Sequence, residues 1–276
     1  MFLETFSRMR KHPLGLASFV LILILSFVAV FAPYISPYDP VAINPPERLQ
    51  PPSTEHVFGT DNAGRDNLSR VLYGTRISLE TGIAVVLSAA FFGLSIGLIA
   101  GYSRGMIGEI LMRLTDAFMG FPYLVLALAI ASVLGPSLIN CLLAMVVVWW
   151  PKYARLTRAE VLILREQGFV EAAKACGASK SRVLFVHILP NSLGPSVIQG
   201  SLDFGNVIIV AATLSFIGLG AQPPTPEWGA MISKGSTWLR EAWWLTAFPG
   251  FAIFVSVLGF NLLGDTLRDA FDPRMR

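Results

Sequence analysis

Two polar residues inside an apolar stretch have the side chains best suited to chemistry. Asp203 and Asn206 lie within the predicted membrane span 197–219. An ionisable side chain at membrane depth is costly and commonly marks the route of a solute or ion. Asp203 and Asn206 are therefore candidates for a translocation path. Asp203 also lies close to the predicted cytosolic end of this span, so interfacial solvation is an equally good explanation of it.

Motifs for other chemistry are missing from the chain. No GxxxxGK[ST] loop occurs, so we do not expect this chain to bind ATP itself. No HExxH or CxxC pattern occurs, and His12, His56 and His187 are far apart. The sequence therefore predicts no catalytic residue, no metal site and no cofactor of its own. The two cysteines, Cys141 and Cys176, do not indicate a disulfide framework.

A short polar segment inside the apolar chain has a defined helical pattern. About two helical turns fit between Phe169 and the glycine at 177. The spacing i, i+3, i+4, i+7 defines one small, flat face, made of Phe169, Ala172, Ala173 and Cys176. Gly177 follows where a left-handed helix cap is expected. Such a helix, with Glu171 beside that face, suits a cleft on another protein.

A second short helix is expected after this segment. Ser179 can cap its start, and Val183, Val186 and Leu189 give it an apolar side. Pro190 is expected to end or turn it. A helix of eight residues is unstable alone in water, so flanking helices or a partner must hold the first one.

The composition indicates an integral membrane protein. The 276 residues are 54% apolar and 14% charged, with a mean hydropathy of +0.61. Soluble domains carry about 25% charged residues. The isoelectric point near 9.0 does not indicate nucleic-acid binding, because no basic patch with interleaved aromatic residues is present.

The apolar runs predict an all-α protein with six transmembrane helices in a single domain, 1–276. The predicted spans are approximately 14–32, 77–101, 116–134, 138–150, 197–219 and 243–264. We interpret the first as an uncleaved span rather than a signal peptide. A proline-rich loop, 33–76, lies between the first two spans, and a short helix is expected to start at Asp66. The long polar stretch 151–196 contains the segment around Glu171.

Small residues recur on one side of the second span. They are Ala89, Gly93, Gly97 and Gly101, spaced four apart. In a membrane such a stripe allows two helix backbones to approach closely. The pattern predicts tight helix packing and says nothing of a substrate.

The positive charges predict the orientation. With the N-terminus inside, the inside segments hold 15 of the 21 Lys and Arg residues and the outside segments hold 6. Loops rich in Lys and Arg remain in the cytosol. Both termini and the loop 151–196 are therefore expected in the cytosol, and the loop 33–76 in the periplasm.

The spacing around Glu171 is similar to a known family motif. It resembles the EAA-x3-G-x9-I-x-LP coupling motif of ABC-importer permeases, with Leu189 and Pro190 at its end and His187 in place of its Ile. The stretch from Gly59 resembles the GTDxxGRDxxSRxxxGxRxSL signature of the dipeptide/oligopeptide/nickel branch. The segment 222–228, QPPTPEW, is also typical of that branch. The chain is identified as similar to its second, C-type permease subunit.

The resemblance implies the type I ABC importer permease fold with a cytosolic coupling helix. It also implies a bacterial inner-membrane location, a homologous second permease subunit, two ABC ATPases carrying ATP and Mg, and an extracytoplasmic solute-binding protein. The ATPase-coupling residues would be those of the motif, namely Phe169, Glu171, Ala172, Ala173, Cys176, Gly177, Leu189 and Pro190. The chain itself would not be an enzyme.

The substrate and two other classes of protein remain open. Members of the branch import di- and oligopeptides, and others import nickel chelates, glutathione or opines. An ATP-independent carrier usually shows inverted repeats, and we find no clear internal repeat. A membrane-embedded enzyme would need convergent polar residues, and besides Asp203 and Asn206 only Asn140 and Asn261 are near membrane depth.

Overall fold

The computed structural model describes residues 13–103 and 105–271, and this part of the chain is helical with one isolated β-bridge. His12 and the two termini, predicted in the cytosol, lie outside the described residues. The helices are α1 (Pro13–Ile35), α2 (Asn67–Tyr102), α3 (Met106–Met119), α4 (Tyr123–Leu134), α5 (Leu138–Leu164), α6 (Gly168–Ala175), α7 (Lys180–Phe216), α8 (Trp228–Ser236) and α9 (Trp244–Phe271).

Four of the described helices, α1, α2, α7 and α9, are long and apolar enough to cross a membrane. The count is five if α3 and α4 together form one bent span. The predicted fourth span, 138–150, lies in α5, but its apolar run is only about 13 residues, or roughly 20 Å. Pro151 and Lys152 follow directly, so α5 does not reach the length of an apolar span by itself.

The predicted third span, 116–134, is not one helix. Helix α3 ends at Met119, helix α4 begins at Tyr123, and the two are bent by 90°. Gly120 and Pro122 occupy the break. Proline lacks a backbone N–H and restricts the residue before it, which explains the end of the helix. The predicted loop before this span is also largely helical, because α3 begins at Met106.

The predicted cytosolic loop 151–196 is mostly helical. Helix α5 continues through Pro151 to Leu164, and α7 begins at Lys180. The expectation that Pro190 ends or turns the helix was wrong. A π-helical segment, Val183–Ile188, precedes the proline. This wider turn accommodates a residue that cannot donate to the carbonyl four positions earlier, so α7 continues to Phe216.

The proline-rich loop is shorter than the predicted range 33–76. It extends from residue 36 to 66 and contains one 3₁₀ turn, Pro45–Glu47. Asp66 caps α2 by accepting from the Ser69 backbone N–H at 2.7 Å. The expected short helix at Asp66 is therefore the beginning of the long helix α2. Trp228 of α8 donates its indole N–H to the Val71 carbonyl at 3.1 Å, which joins α8 to α2.

Candidate functional site

The segment around Glu171 forms helix α6, which is attached to the protein mainly through Val170. Val170 is completely buried. It belongs to a small apolar cluster at the ends of three longer helices, together with Leu98, Val161, Val183 and Ile188. Helix α6 is too short to be stable alone, so this cluster holds it. Helix α6 is therefore attached to the ends of α2, α5 and α7 at once.

The face of α6 that the sequence singled out lies mostly on the outside. Phe169 is 44% exposed, Ala172 and Cys176 are exposed, and Ala173 is partly buried. Glu171 is exposed beside them. An apolar aromatic ring on an otherwise small surface is costly in water. The face has the size and character of a contact for another protein.

A Schellman motif ends α6 at Gly177. The Gly177 N–H donates to the Lys174 carbonyl at 3.0 Å, and the Ala178 N–H donates to the Ala173 carbonyl at 3.1 Å. Gly177 has a φ of +80°, in the left-handed region that glycine occupies without strain. No atom lies within 4 Å of the position of an added Cβ, so the backbone angle alone restricts this residue.

The next helix begins as predicted with a serine cap and then departs from the expected pattern. The Arg182 N–H donates to the Ser179 hydroxyl at 3.3 Å. Val183 is buried, but Val186 is 57% exposed, so it does not belong to the apolar side. The π-helical turn changes the register and places Ile188 in the cluster instead. His187, at the position of the motif's Ile, is only partly buried.

Leu189 and Pro190 complete the segment. Leu189 is partly buried and packs against the Val170 cluster. Pro190 is exposed. The Asn191 side-chain amide donates to the His187 carbonyl at 2.7 Å. This bond pairs a carbonyl near the proline, where helix bonding is interrupted.

The small-residue stripe of α2 packs against α5. Ala89, Gly93, Gly97 and Gly101 are all buried. A Cβ added to Gly97 would lie 2.5 Å from the Ala154 carbonyl oxygen, and one added to Gly93 would lie 2.5 Å from the Trp150 carbonyl oxygen. The two backbones are therefore nearly in contact along this stripe.

The stripe also contains the spacing Gly93-x-Ser95-x-Gly97, which is known from serine hydrolases. In those enzymes the serine lies on a sharp turn between a strand and a helix. Ser95 instead lies within α2 and donates its hydroxyl to the Phe91 carbonyl at 2.8 Å. These glycines serve helix packing rather than nucleophilic chemistry.

Asp203 and Asn206 lie one turn apart on α7 and differ in burial. The Asp203 side chain is 0% exposed and lies 3.2 Å from the Lys152 ammonium of α5. Its second oxygen, Oδ2, is buried with no hydrogen-bond partner. Asn206 is exposed, and its amide donates to the Leu202 carbonyl at 3.4 Å. The two predicted residues therefore differ in their surroundings, and the structure pairs Asp203 with Lys152, which sequence reasoning missed.

Asp203 lies well inside the long helix α7. Because α7 begins at Lys180, Asp203 follows that end by about 35 Å and precedes Phe216 by about 20 Å. We expected Asp203 near the cytosolic end of its membrane span, and its position relative to the membrane stays a prediction.

In the part of the chain described by the structure, no group of three or more His, Cys, Asp or Glu residues could hold a metal ion. His56 is buried between two carboxylates of the loop 36–66, with its Nδ1 2.9 Å from Asp66 and its Nε2 3.2 Å from Glu47. Burial opposes protonation of His56, but these hydrogen bonds outweigh it and raise its pKa. The arrangement stabilises the loop and resembles no catalytic site.

Comparison with known proteins assigns the chain to a family. The family model "Binding-protein-dependent transport system inner membrane component" matches residues 93–276. The model "N-terminal TM domain of oligopeptide transport permease C" matches residues 1–52. The chain belongs to the binding-protein-dependent transport permeases.

Several named relatives of this permease cover nearly all of the chain. The dipeptide transport system permease protein DppC of Alkalihalophilus pseudofirmus is 46% identical, over 99% of this chain and 90% of the relative. The Escherichia coli protein of that name is 44% identical, over 100% of this chain and 93% of the relative. The di/tripeptide transport system permease protein DppC of Pseudomonas aeruginosa is 41% identical, over 99% of this chain and 93% of the relative. The permease groups with the C-type subunits of this branch.

Two solved structures share the fold at low sequence identity. An inward-facing MetNI methionine ABC transporter aligns with a TM-score of 0.58 and 17% identity, over 74% of this chain and 97% of that chain. An amino acid ABC transporter aligns with a TM-score of 0.56 and 18% identity, over 72% of this chain and 92% of that chain. The fold is that of ABC importer permeases.

Family membership defines the general role of this chain. It is a multi-pass inner-membrane permease subunit of an ABC importer, and ATP hydrolysis is carried out by partner subunits. It is not itself an enzyme. The coupling motif lies within the residues matched by the first family model.

Sequence reasoning missed two residues that organise the site. Val170 anchors α6, although a single valine between Phe169 and Glu171 has no distinctive pattern. Lys152 pairs with Asp203. Its signal was a lysine directly after an apolar run, which also fits the simple end of a span. Only the three-dimensional structure brings it beside a carboxylate about fifty positions later.

Proposed function

We propose that this permease imports di- and oligopeptides, as half of the membrane part of an ATP-driven transporter. Its expected partners are a homologous second permease, two ABC ATPases that bind ATP and Mg, and an extracytoplasmic solute-binding protein. Support for the peptide class comes from the relatives, whose names specify dipeptide and di/tripeptide transport. Peptide selectivity would rest largely on the binding protein.

The attachment of α6 is the observation that carries the proposal. Its exposed, small face is available to an ATPase, and Val170 fixes it to the ends of α2, α5 and α7. Movement of the ATPases would displace α6 and tilt these helices. The residues in this role are Phe169, Glu171, Ala172, Ala173, Cys176 and Gly177, with Leu189 and Pro190 behind them.

We further propose six membrane crossings. Helices α1, α2, α7 and α9 would each cross once, the bent pair α3/α4 would form one crossing, and α5 would form the sixth. The charges of α5 would then face protein or water rather than lipid. Both termini and α6 would lie in the cytosol, which agrees with the distribution of Lys and Arg.

The packing of α2 on α5 would form the rigid part of each permease half. Ala89, Gly93, Gly97 and Gly101 provide the close approach. Lys152 of α5 and Asn206 of α7 are exposed and would face the translocation path, with Asp203 buried beside Lys152.

Transport in proteoliposomes tests this function. The permease, its second subunit and the ATPases are reconstituted with the binding protein outside and ATP inside, and uptake of a radiolabelled dipeptide is measured. We expect uptake that requires ATP and the binding protein. Uptake without ATP would instead indicate a carrier. Uptake of a nickel chelate, glutathione or an opine, but not of a peptide, would reassign the substrate class within this branch.

A further inference from the structure

Charged side chains are exposed on α5 directly after its apolar run. The Lys152 side chain is 43% exposed. One turn further along, Arg155 donates to Asp116 of α3 at 2.5 Å, and both of these side chains are more than half exposed. Lys152 lies about 20 Å from either end of α5 by helical rise. If α5 forms the sixth crossing as proposed, these charged groups face a water-filled path or another protein rather than hydrocarbon.

Asp203 fixes Lys152 from the protein side. The carboxylate is completely buried in α7 and its Oδ1 accepts from the ammonium at 3.2 Å. A lysine ammonium has three donors. Among the hydrogen bonds within the described residues, Lys152 makes this one. The other two N–H donors of the Lys152 ammonium are therefore available to a ligand or a partner protein on the exposed side of the residue.

The surroundings of Lys152 suit a small polar ligand. The ammonium lies 5.9 Å from the centre of the Trp149 ring. On α7, Asn206 is exposed one turn beyond Asp203. An exposed cation on α5 and an exposed amide on α7 therefore both lie close to Asp203, the first by direct contact and the second by one helical turn.

The charge balance of Lys152 and Asp203 favours weak rather than tight binding of an anion. Lys152 and Asp203 together are neutral, so an incoming anion competes with Asp203 for the ammonium. A site on a transport route must bind favourably enough for entry and weakly enough for release. An exposed ammonium already paired with a buried carboxylate meets both requirements.

We propose that Lys152 contacts the C-terminal carboxylate of a peptide as it passes through the permease, and that Asp203 positions the ammonium. This inference rests on the proposed function, because it needs a peptide in the path. Lys152 is thus a specificity-determining residue within the membrane, additional to the selection made by the binding protein.

The test must avoid leaving a buried charge unpaired. Replacing Lys152 alone would leave Asp203 buried without a counterion, which strongly destabilises a protein. Lys152→Met combined with Asp203→Asn removes both charges and approximately preserves the side-chain shapes. Arg113→Met with Glu109→Gln is the matched control, because it removes an exposed ion pair of 3.5 Å on α3.

The assay compares a dipeptide with its C-terminal amide. Uptake of each substrate is measured in proteoliposomes at a saturating concentration of loaded binding protein. For each variant, uptake of the free dipeptide is divided by uptake of its amide, and this ratio is divided by the same ratio for the wild type. This normalisation removes the preference of the binding protein itself. We expect the ratio to fall about tenfold in the Lys152/Asp203 variant, the size of one hydrogen bond to a charged group, and to stay unchanged in the control.

An unchanged ratio in the Lys152/Asp203 variant would overturn the proposal while leaving the proposed function of the wild type intact. If uptake of both substrates stayed normal, Lys152 would contact neither of them. If both uptakes fell equally, Lys152 and Asp203 would instead contact the second permease subunit. If the wild-type complex imported neither peptide, the proposed function would fail, and this inference with it.

Discussion

Replacing Gly97 with alanine tests whether the backbones of α2 and α5 really pack against each other. An added Cβ would lie 2.5 Å from the Ala154 carbonyl oxygen and 2.7 Å from the Thr157 Cβ. Ordinary carbon–oxygen contacts begin at roughly 3.4 Å, so α2 must move by about 1 Å or distort. Overpacking of this kind costs about 1–3 kcal/mol.

Gly250→Ala in α9 is the matched control. Outside its chain neighbours and its own helix backbone, no atom lies within 4 Å of its added Cβ, and it does not precede a proline. Both substitutions gain a similar helix propensity, up to about 1 kcal/mol, so this term cancels in their comparison. We therefore expect Gly97→Ala to be about 1–3 kcal/mol less stable than Gly250→Ala. Gly97→Leu, with a much larger side chain, should prevent assembly of the complex.

Thermal unfolding of the detergent-solubilised complex provides the measurement, with size-exclusion chromatography after heating to follow the folded fraction. We expect a lower midpoint for Gly97→Ala than for Gly250→Ala, by about 2–4 °C for each kcal/mol. Equal midpoints for the two variants, or normal assembly and transport by Gly97→Leu, would refute close packing at the stripe.

Two further predictions concern the loop 36–66 and the end of α6. The raised pKa of His56 means that its stabilising contribution is complete below about pH 6.5, the unfolded value, and is lost as the pH rises through the folded value. Melting temperatures of wild type and His56→Gln should therefore converge as the pH rises, and a constant difference would contradict this. Gly177→Val should strain the left-handed cap by roughly 1–2 kcal/mol and uncouple ATP hydrolysis from uptake. Gly168→Val, at the other end of α6 and also without nearby atoms, should remain coupled.

The helical pattern around Glu171 was predictable because its signals are local. A glycine cap, a serine cap and an i, i+3, i+4, i+7 face depend on neighbouring residues only. The anchoring of α6 was not predictable in this way. Val170 is buried because Leu98 and Val161, distant in sequence, lie beside it.

The ends of the long helices were the least predictable part of the fold. Pro190 was expected to stop a helix, but a π-helical turn accommodates it. Pro122, by contrast, lies at a real break between α3 and α4. Proline is accommodated at position 190, where the preceding helix widens into a π-helical turn. It lies in a break at position 122, where the chain leaves the helix and changes direction. That choice depends on tertiary packing, which hydropathy does not encode.

The residues at membrane depth show the same limit. Asp203 was recognisable as an unusual charge in an apolar helix. Its partner Lys152 was not, because their contact joins α5 and α7. Burial of one member and exposure of the other, which carries the specificity proposal, is a property of the packed helices.

The contact between α6 and an ATPase is the central claim, and Cys176 offers a direct measurement of it. The chain has two cysteines; Cys176 is exposed next to Gly177, and Cys141 is buried. A maleimide–benzophenone reagent attached to Cys176 in the assembled complex is activated by light, and the cross-linked product is identified by mass spectrometry. We predict a covalent product with an ATPase subunit that is absent in Cys176→Ser. Cross-linking only to the binding protein or to lipid would contradict the account.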